Sequence, residues 1–147
     1  GRLIMADAIA YSKKFNPEII IDIATLTGGV DYITDQKASI IMGNDNDLVN
    51  TFISIGEKEN EKLINLSIWK DFVKSTHSDV ADYMNYDYNN NGGTIYAGAF
   101  LYNFLPNNNI KWIHIDVGGD IITSDNYYYK KGATGKGCRL LMKYLLS

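Results

Sequence analysis

The stretch IIIDIATLTGG, residues 19–29, decides the architecture. Ile19, Ile20, Ile21 and Ile23 form a β-branched run broken only by Asp22, which reads as a buried strand. The run then changes character. Ala24-Thr25-Leu26-Thr27-Gly28-Gly29 brings small residues, two hydroxyls and two glycines to the strand's end. A carboxylate inside an apolar strand is costly unless it is paired or hydrogen-bonded. Glycines at a strand end permit close backbone approach. The strand is expected over Glu18–Ala24.

Working outward, apolar spacing predicts a helix over Arg2–Phe15. Asn16-Pro17 stops it, because the residue before a proline leaves the helical region. Leu3, Ile4, Ala6, Ala8, Ile9 and Ala10 give that helix a largely buried character. It has no capping residue ahead of it, as expected of a chain cut from something longer. Downstream, Ala38–Met42 reads as a strand and Asp47–Lys58 as an amphipathic helix, with Leu48, Val49, Phe52 and Ile55 at helical spacing. Leu63–Leu66 and Val80–Tyr83 are short strand candidates, with a short helix over Trp69–Ser75 between them. Asn89–Gly93 is loop-like. Thr94 is the expected cap of a helix reaching Phe104. Ile110–Val117 alternates cleanly, with Trp112, His114 and Asp116 on one face and Ile113, Ile115 and Val117 on the other. Gly132–Gly137 is a turn before a closing helix marked by Leu140, Leu141, Tyr144 and Leu145. Alternating strands and helices predict a three-layer α/β domain, a mostly parallel central sheet flanked by helices.

The 147 residues suit one domain, and 46% apolar content suffices for a core. A net charge of -3 lacks the basic footprint of a nucleic-acid binder. No apolar run approaches the roughly 18 residues of a membrane span. The single cysteine, Cys138, forbids an internal disulfide and suits a reducing compartment. It is expected to be a packed thiol.

In open α/β sheets, ligands bind beyond the carboxyl ends of strands. Two strand ends here are rich in small residues: Thr25–Gly29, and Val117-Gly118-Gly119-Asp120-Ile121. They read either as floor and wall for a small polar ligand or as tight turns. Asp22 and Asp116, and Asp7 in the first helix, read either as metal ligands or bases or as hydrogen-bonded structural carboxylates. His77 and His114 each lie two residues from an aspartate, but no third ligand stands at a recognisable spacing, so both read as structural. Tyr127-Tyr128-Tyr129 reads as a loop or interface patch. GATGKG, residues 132–137, fails as a phosphate loop: Lys130 stands where the first glycine belongs and Gly137 where Ser or Thr belongs.

Several pieces occur together: Gly1-Arg2-Leu3 with Ala6-Asp7-Ala8, IDIATLTGG, ADY at 81–83, AGAFL at 97–101, WIHIDVGG at 112–119 and KGATGKGCRLL at 131–141. In this order and spacing they resemble the C-terminal part of the catalytic domain of leucyl aminopeptidases of the M17, or cytosol aminopeptidase, family. The resemblance covers essentially the whole chain. It implies a zinc-peptidase-like catalytic domain, truncated at its N-terminal side, with residues 1–147 a partial domain. It implies release of N-terminal, leucine-like residues from peptides, with two divalent metal ions, Mn or Zn. It implies cytoplasmic homohexamers acting on peptides, with no nucleic acid or membrane partner. The family's metal ligands and catalytic lysine would precede Gly1, leaving no metal ligand in this chain and an inactive isolated segment. By position, Arg2 matches the catalytic arginine, beside which the family binds bicarbonate. Thr25, Leu26, Thr27 and Gly28, with Gly118 and Ile121, match the substrate pocket, and Tyr86 falls near the leaving-residue side. Asp22 then reads as structural support. Gly29 and Gly118 stand where the family commonly has alanine, so Gly118 is expected to widen the pocket floor by a methyl. The competing reading is a non-catalytic scaffold or binding subunit of the same fold, with nucleotide binding a weaker third.

Overall fold

A computed structural model of the chain describes residues 1–89, 92–107, 109–122, 125 and 129–147. Asn90 and Asn91 of the predicted loop, and Tyr127 and Tyr128 of the tyrosine patch, lie outside the described residues. In chain order the elements are α1 (Arg2–Tyr11), a 3-10 turn (Ser12–Phe15), β1 (Ile19–Ala24), α2 (Gly29–Thr34), β2 (Ser39–Gly43) and α3 (Asn46–Glu59). Next come β3 (Leu63–Asn65), α4 (Lys70–Lys74), α5 (Gly93–Tyr102), β4 (Lys111–Asp116), β5 (Ile121–Ile122), β6 (Gly132–Ala133) and α6 (Cys138–Leu145).

The main sheet has the order β1-β4-β2-β3. β1 runs parallel to β4, from Ile19 opposite Lys111 to Ala24 opposite Asp116. β2 is parallel to β3 but antiparallel to β4, with Ile40 opposite Asp116 and Gly43 opposite Ile113. The sheet is therefore mixed: two of its three pairings are parallel and the central one is not. The alternation of β4 sorts the layers as its sequence predicts. Ile113 and Ile115 join Ile41, Leu48, Val49, Phe52 and Leu140 beneath α3 and α6. Trp112 faces the other way, against Ala6 and Ile9 of α1 and Phe100 and Leu101 of α5. The result is the expected three-layer α/β arrangement, with helices on both faces of one sheet.

Local chemistry sets the helix ends. Asp45 caps α3 from an extended backbone, its side chain accepting from the Leu48 amide at 2.8 Å. Asn60 closes that helix in the left-handed region. Buried Glu61 receives the amides of Gly137 (2.9 Å) and Leu140 (3.3 Å) at the start of α6, where a negative group meets the helix's unpaired N–H groups. Gly43 is a tight crossing. A side-chain carbon there would lie 2.7 Å from the Trp112 carbonyl and 2.8 Å from Val49.

Several local expectations are corrected. Val80–Tyr83 is no strand: only a single bridge joins Tyr83 to His77, and Val80 is almost fully exposed. α1 buries only a narrow stripe, Ala6 and Ile9, while Leu3, Ile4 and Asp7 face outward. One neighbouring helix covers one stripe, and nothing described covers the rest. α5 starts at Gly93 with Gly92 in the cap position, so Thr94 is not its cap. Cys138 is exposed in the first turn of α6 rather than packed. Gly132 and Ala133, read as part of a turn, form β6 against β5.

Candidate functional site

β1 and β4 end side by side, and Asp116, the last residue of β4, holds the loop that leaves β1. This carboxylate is fully buried. One oxygen accepts the backbone N–H groups of Leu26 (2.7 Å) and Thr27 (3.2 Å), and the other accepts the Thr27 hydroxyl (2.6 Å). Thr94, in the first turn of α5, lies 2.8 Å from the Thr27 hydroxyl. Because the Thr27 proton goes to Asp116, Thr94 donates to Thr27. The chain Thr94–Thr27–Asp116 thus ties α5, the β1 loop and the end of β4 together. It turns the loop's amides inward and leaves Thr25 and Gly28 exposed.

Beside this loop lies a pocket of about 560 Å³, lined by Arg2, Leu26, Thr27, Gly28, Asn85 and Tyr86 among others. The Arg2 guanidinium donates to the carbonyls of Asn85 (2.6 Å) and Gly93 (3.3 Å) and stands 5.4 Å from the centre of the Tyr86 ring. Burial lowers its pKa from the ordinary arginine value, against the raising influence of Tyr86, Tyr96 and Asp116. An arginine has five N–H donors, so those two contacts leave others to hold an oxyanion. Tyr96, itself buried, hydrogen-bonds the Met84 carbonyl at 2.8 Å and so anchors the segment that carries Asn85 and Tyr86.

The structure brings Arg2, Leu26, Thr27, Gly28 and Tyr86 into one pocket wall. Thr25 sits exposed at the start of the same loop. Gly118 and Ile121 lie elsewhere. Ile121 is exposed in β5. Gly118 is buried, and a methyl on it would meet the Ala38 carbonyl and Val30, each at 2.7 Å. The space left by its missing side chain is core, not pocket floor, which corrects the expected widening. Gly29 has its methyl position filled by the Thr94 hydroxyl, 2.5 Å away.

The Gly118–Asp120 turn is clamped by the GATGKG segment. Lys136 Nζ donates to the carbonyls of Gly118 (2.7 Å) and Gln36 (2.8 Å). Its partial burial lowers its pKa from the ordinary lysine value. The Thr134 hydroxyl donates to the carbonyls of Gly119 and Asp120, each at 3.1 Å. The failed phosphate loop is a buttress.

Asp22 is structural, as the resemblance implied. It accepts the Trp112 indole N–H at 2.6 Å and bonds His114 Nδ1. An ionised carboxylate only accepts, so His114 donates from Nδ1, and its Nε2 is buried with no partner among the described residues. His77 is exposed, its ring tilted against that of Tyr83 with centres 5.5 Å apart. Among the described residues no group of three or more His, Cys, Asp or Glu side chains is placed to hold a metal ion. Sequence reasoning missed Asn85, Gly93 and Thr94. Asp116 carried a signal, a carboxylate in an apolar strand, but not its partners.

The catalytic-domain model of the cytosol aminopeptidase family matches residues 1–142. The chain is 39% identical over 146 residues to a probable cytosol aminopeptidase of Geobacter sp. (strain M21), covering 99% of this chain and 29% of that protein. Proteins of the same description from Vesicomyosocius okutanii (38%, 146 residues) and Protochlamydia amoebophila (37%, 147 residues) match with the same coverage. The chain spans about 29% of the length of these relatives. A family model matching nearly the whole chain shows that the chain belongs to the cytosol aminopeptidase family.

Proposed function

We propose that the protein of which these residues form part is a metal-dependent aminopeptidase that releases leucine-like N-terminal residues from peptides. The observation that carries the reading is the convergence of Arg2 and the Asp116-braced Leu26–Gly28 loop on one pocket. In this proposal Arg2 is the catalytic arginine. It holds an oxyanion or a bicarbonate with the N–H donors left over from Asn85 and Gly93. The Leu26 carbonyl faces the substrate backbone, since the Thr27 N–H, trans to it in the same peptide unit, is turned to Asp116. Thr25, Thr27 and Gly28 bound the first side chain. Tyr86 meets the leaving portion.

The described residues do not supply a metal-ligand set. The two divalent ions, Mn or Zn, are assigned to residues outside this chain, and the proposal extends to inactivity of residues 1–147 alone. When bound, such ions supply a water nucleophile and polarise the scissile carbonyl. A cytoplasmic homohexamer belongs to the same proposal. No described helix is long and apolar enough to cross a membrane.

The test is hydrolysis of leucine amide by the full-length protein with Mn or Zn, beside its Arg2→Ala variant. Metal-dependent turnover that falls about 100-fold or more on removing an oxyanion-stabilising group is expected. Absence of turnover in every metal by a folded, hexameric protein would replace the enzyme reading with a scaffold.

A further inference from the structure

The opposed strand directions give this sheet two carboxyl ends. β1 and β4 end at the Thr25–Gly28 loop, whereas β2 and β3 end at the opposite side, at Gly43 and Asn65. The crevice beyond strand carboxyl ends is where loops part and ligands bind. At this second end there is a cleft of about 610 Å³, larger than the pocket beside Arg2 and within the usual range of small-molecule sites.

Its lining has a definite chemistry. Val49, Ile68 and Val73 give an apolar floor, and Trp69 and Tyr102 add aromatic surface. Trp69 is 65% exposed and stacks on Phe72, with ring centres 5.6 Å apart, so its free face is held in a fixed orientation. Lys70 and Lys74, one helical turn apart on α4, are the charged residues of the lining, and no Asp or Glu joins them. Neither lysine has an ion-pair partner among the described residues, in a chain whose net charge is -3. Asn44 fixes the wall, donating to the Ile110 carbonyl at 2.8 Å and accepting the Trp112 amide at 2.7 Å. Asn65 and Ser67 line the same cleft, and their side chains have no hydrogen-bond partner among the described residues.

We propose that this cleft is a second ligand site, separate from the Arg2 pocket, for a small organic anion with one carboxylate and a flat aromatic body. The body lies on Trp69 and the apolar floor, and the carboxylate meets Lys70 and Lys74. An amine of the same shape is repelled by the two ammonium groups. A free amino acid is disfavoured because no carboxylate in the lining receives its ammonium.

The full-length protein is titrated with phenylacetate, phenethylamine and acetate. Binding is read as the tryptophan-fluorescence change lost in Trp69→Phe. Trp112, the other tryptophan of this chain, is fully buried. Saturable phenylacetate binding at about 1 mM or tighter is expected, at least tenfold weaker for phenethylamine and for acetate. Lys70→Glu combined with Lys74→Glu is expected to weaken phenylacetate at least tenfold with an unchanged circular-dichroism melt. The proposal is overturned by phenethylamine binding as tightly as phenylacetate. It is equally overturned by no saturable change below about 10 mM phenylacetate, a result that needs no variant.

Discussion

Replacing Asp116 by alanine removes one acceptor group from three donors at once. The Thr27 hydroxyl has a second partner, Thr94 at 2.8 Å, and can turn its proton there. The amides of Leu26 and Thr27 have no such alternative among the described residues, and the carboxylate site itself is closed to solvent. Each unsatisfied buried donor costs about 1–3 kcal/mol. Leu26 and Thr27 are only half-buried, so water relieves part of the penalty. The expected loss for Asp116→Ala is about 2–4 kcal/mol, a large share of a domain's usual 5–15 kcal/mol. Asp116→Asn is different. Its amide oxygen keeps both backbone N–H groups, and its NH₂ group donates to Thr27, whose hydroxyl reverses toward Thr94. The expected loss is about 1 kcal/mol. Urea denaturation of the protein followed by circular dichroism measures both, as a shift in midpoint at constant slope. An alanine variant within about 0.5 kcal/mol of the parent, or an asparagine variant as damaged as the alanine one, would refute the reasoning.

Gly118→Ala is expected to destabilise by about 1–3 kcal/mol, as overpacking does, without changing the order of preference among leucine, methionine and phenylalanine amides. A changed preference at unchanged stability would return Gly118 to the pocket floor. Gly43→Ala drives a methyl into the Trp112 carbonyl and two β-branched side chains, and is expected to cost about 1–3 kcal/mol in the same denaturation assay. Asp45 has its pKa lowered below the ordinary aspartate value by the Leu48 amide and by Lys111, whose ammonium lies 3.1 Å away. A depressed carboxylate contributes stability above about pH 4 and loses it as the pH falls through the folded-state value. The stability gap between the parent and Asp45→Ala should therefore be full at pH 6 and shrink below pH 4. A gap that widens on acidification would contradict the sign.

The layers were legible because they derive from period alone. The alternation of Trp112-Ile113-His114-Ile115-Asp116 fixed which side chains face which helices, and the structure keeps that division. Strand direction was not legible. Nothing in the period of Ser39–Gly43 says that it runs against β4. α2 escaped notice because Gly28-Gly29 looks like a turn, and its six residues hold together largely by burying Val30 and Thr34. Val80–Tyr83 looked like a strand but has no partner beyond one bridge. At the site, Asp22 and Asp116 stood out as carboxylates among β-branched residues. Their partners did not, because the Arg2 contacts span 83 and 91 residues and the Asp116 contacts 89 and 90. The direction in which the absent methyl of Gly118 would point is set by tertiary packing, which no motif carries.

Those long spans set a timetable. β1 pairs with β4 alone among the described strands, and the two are far apart in the chain. During synthesis at about 5–20 residues per second, β1 has emerged for several seconds before Asp116 exists. Pairings this remote also close slowly in a free chain. Through that interval four isoleucines stand nearly contiguous without β4, their partner among the described strands, and such a composition recruits other chains into β aggregates. Asp22 interrupts them at the centre. Before folding, its charge is a gatekeeper against misassembly. Afterwards the same carboxylate receives Trp112 and His114, the residues whose arrival ends the wait.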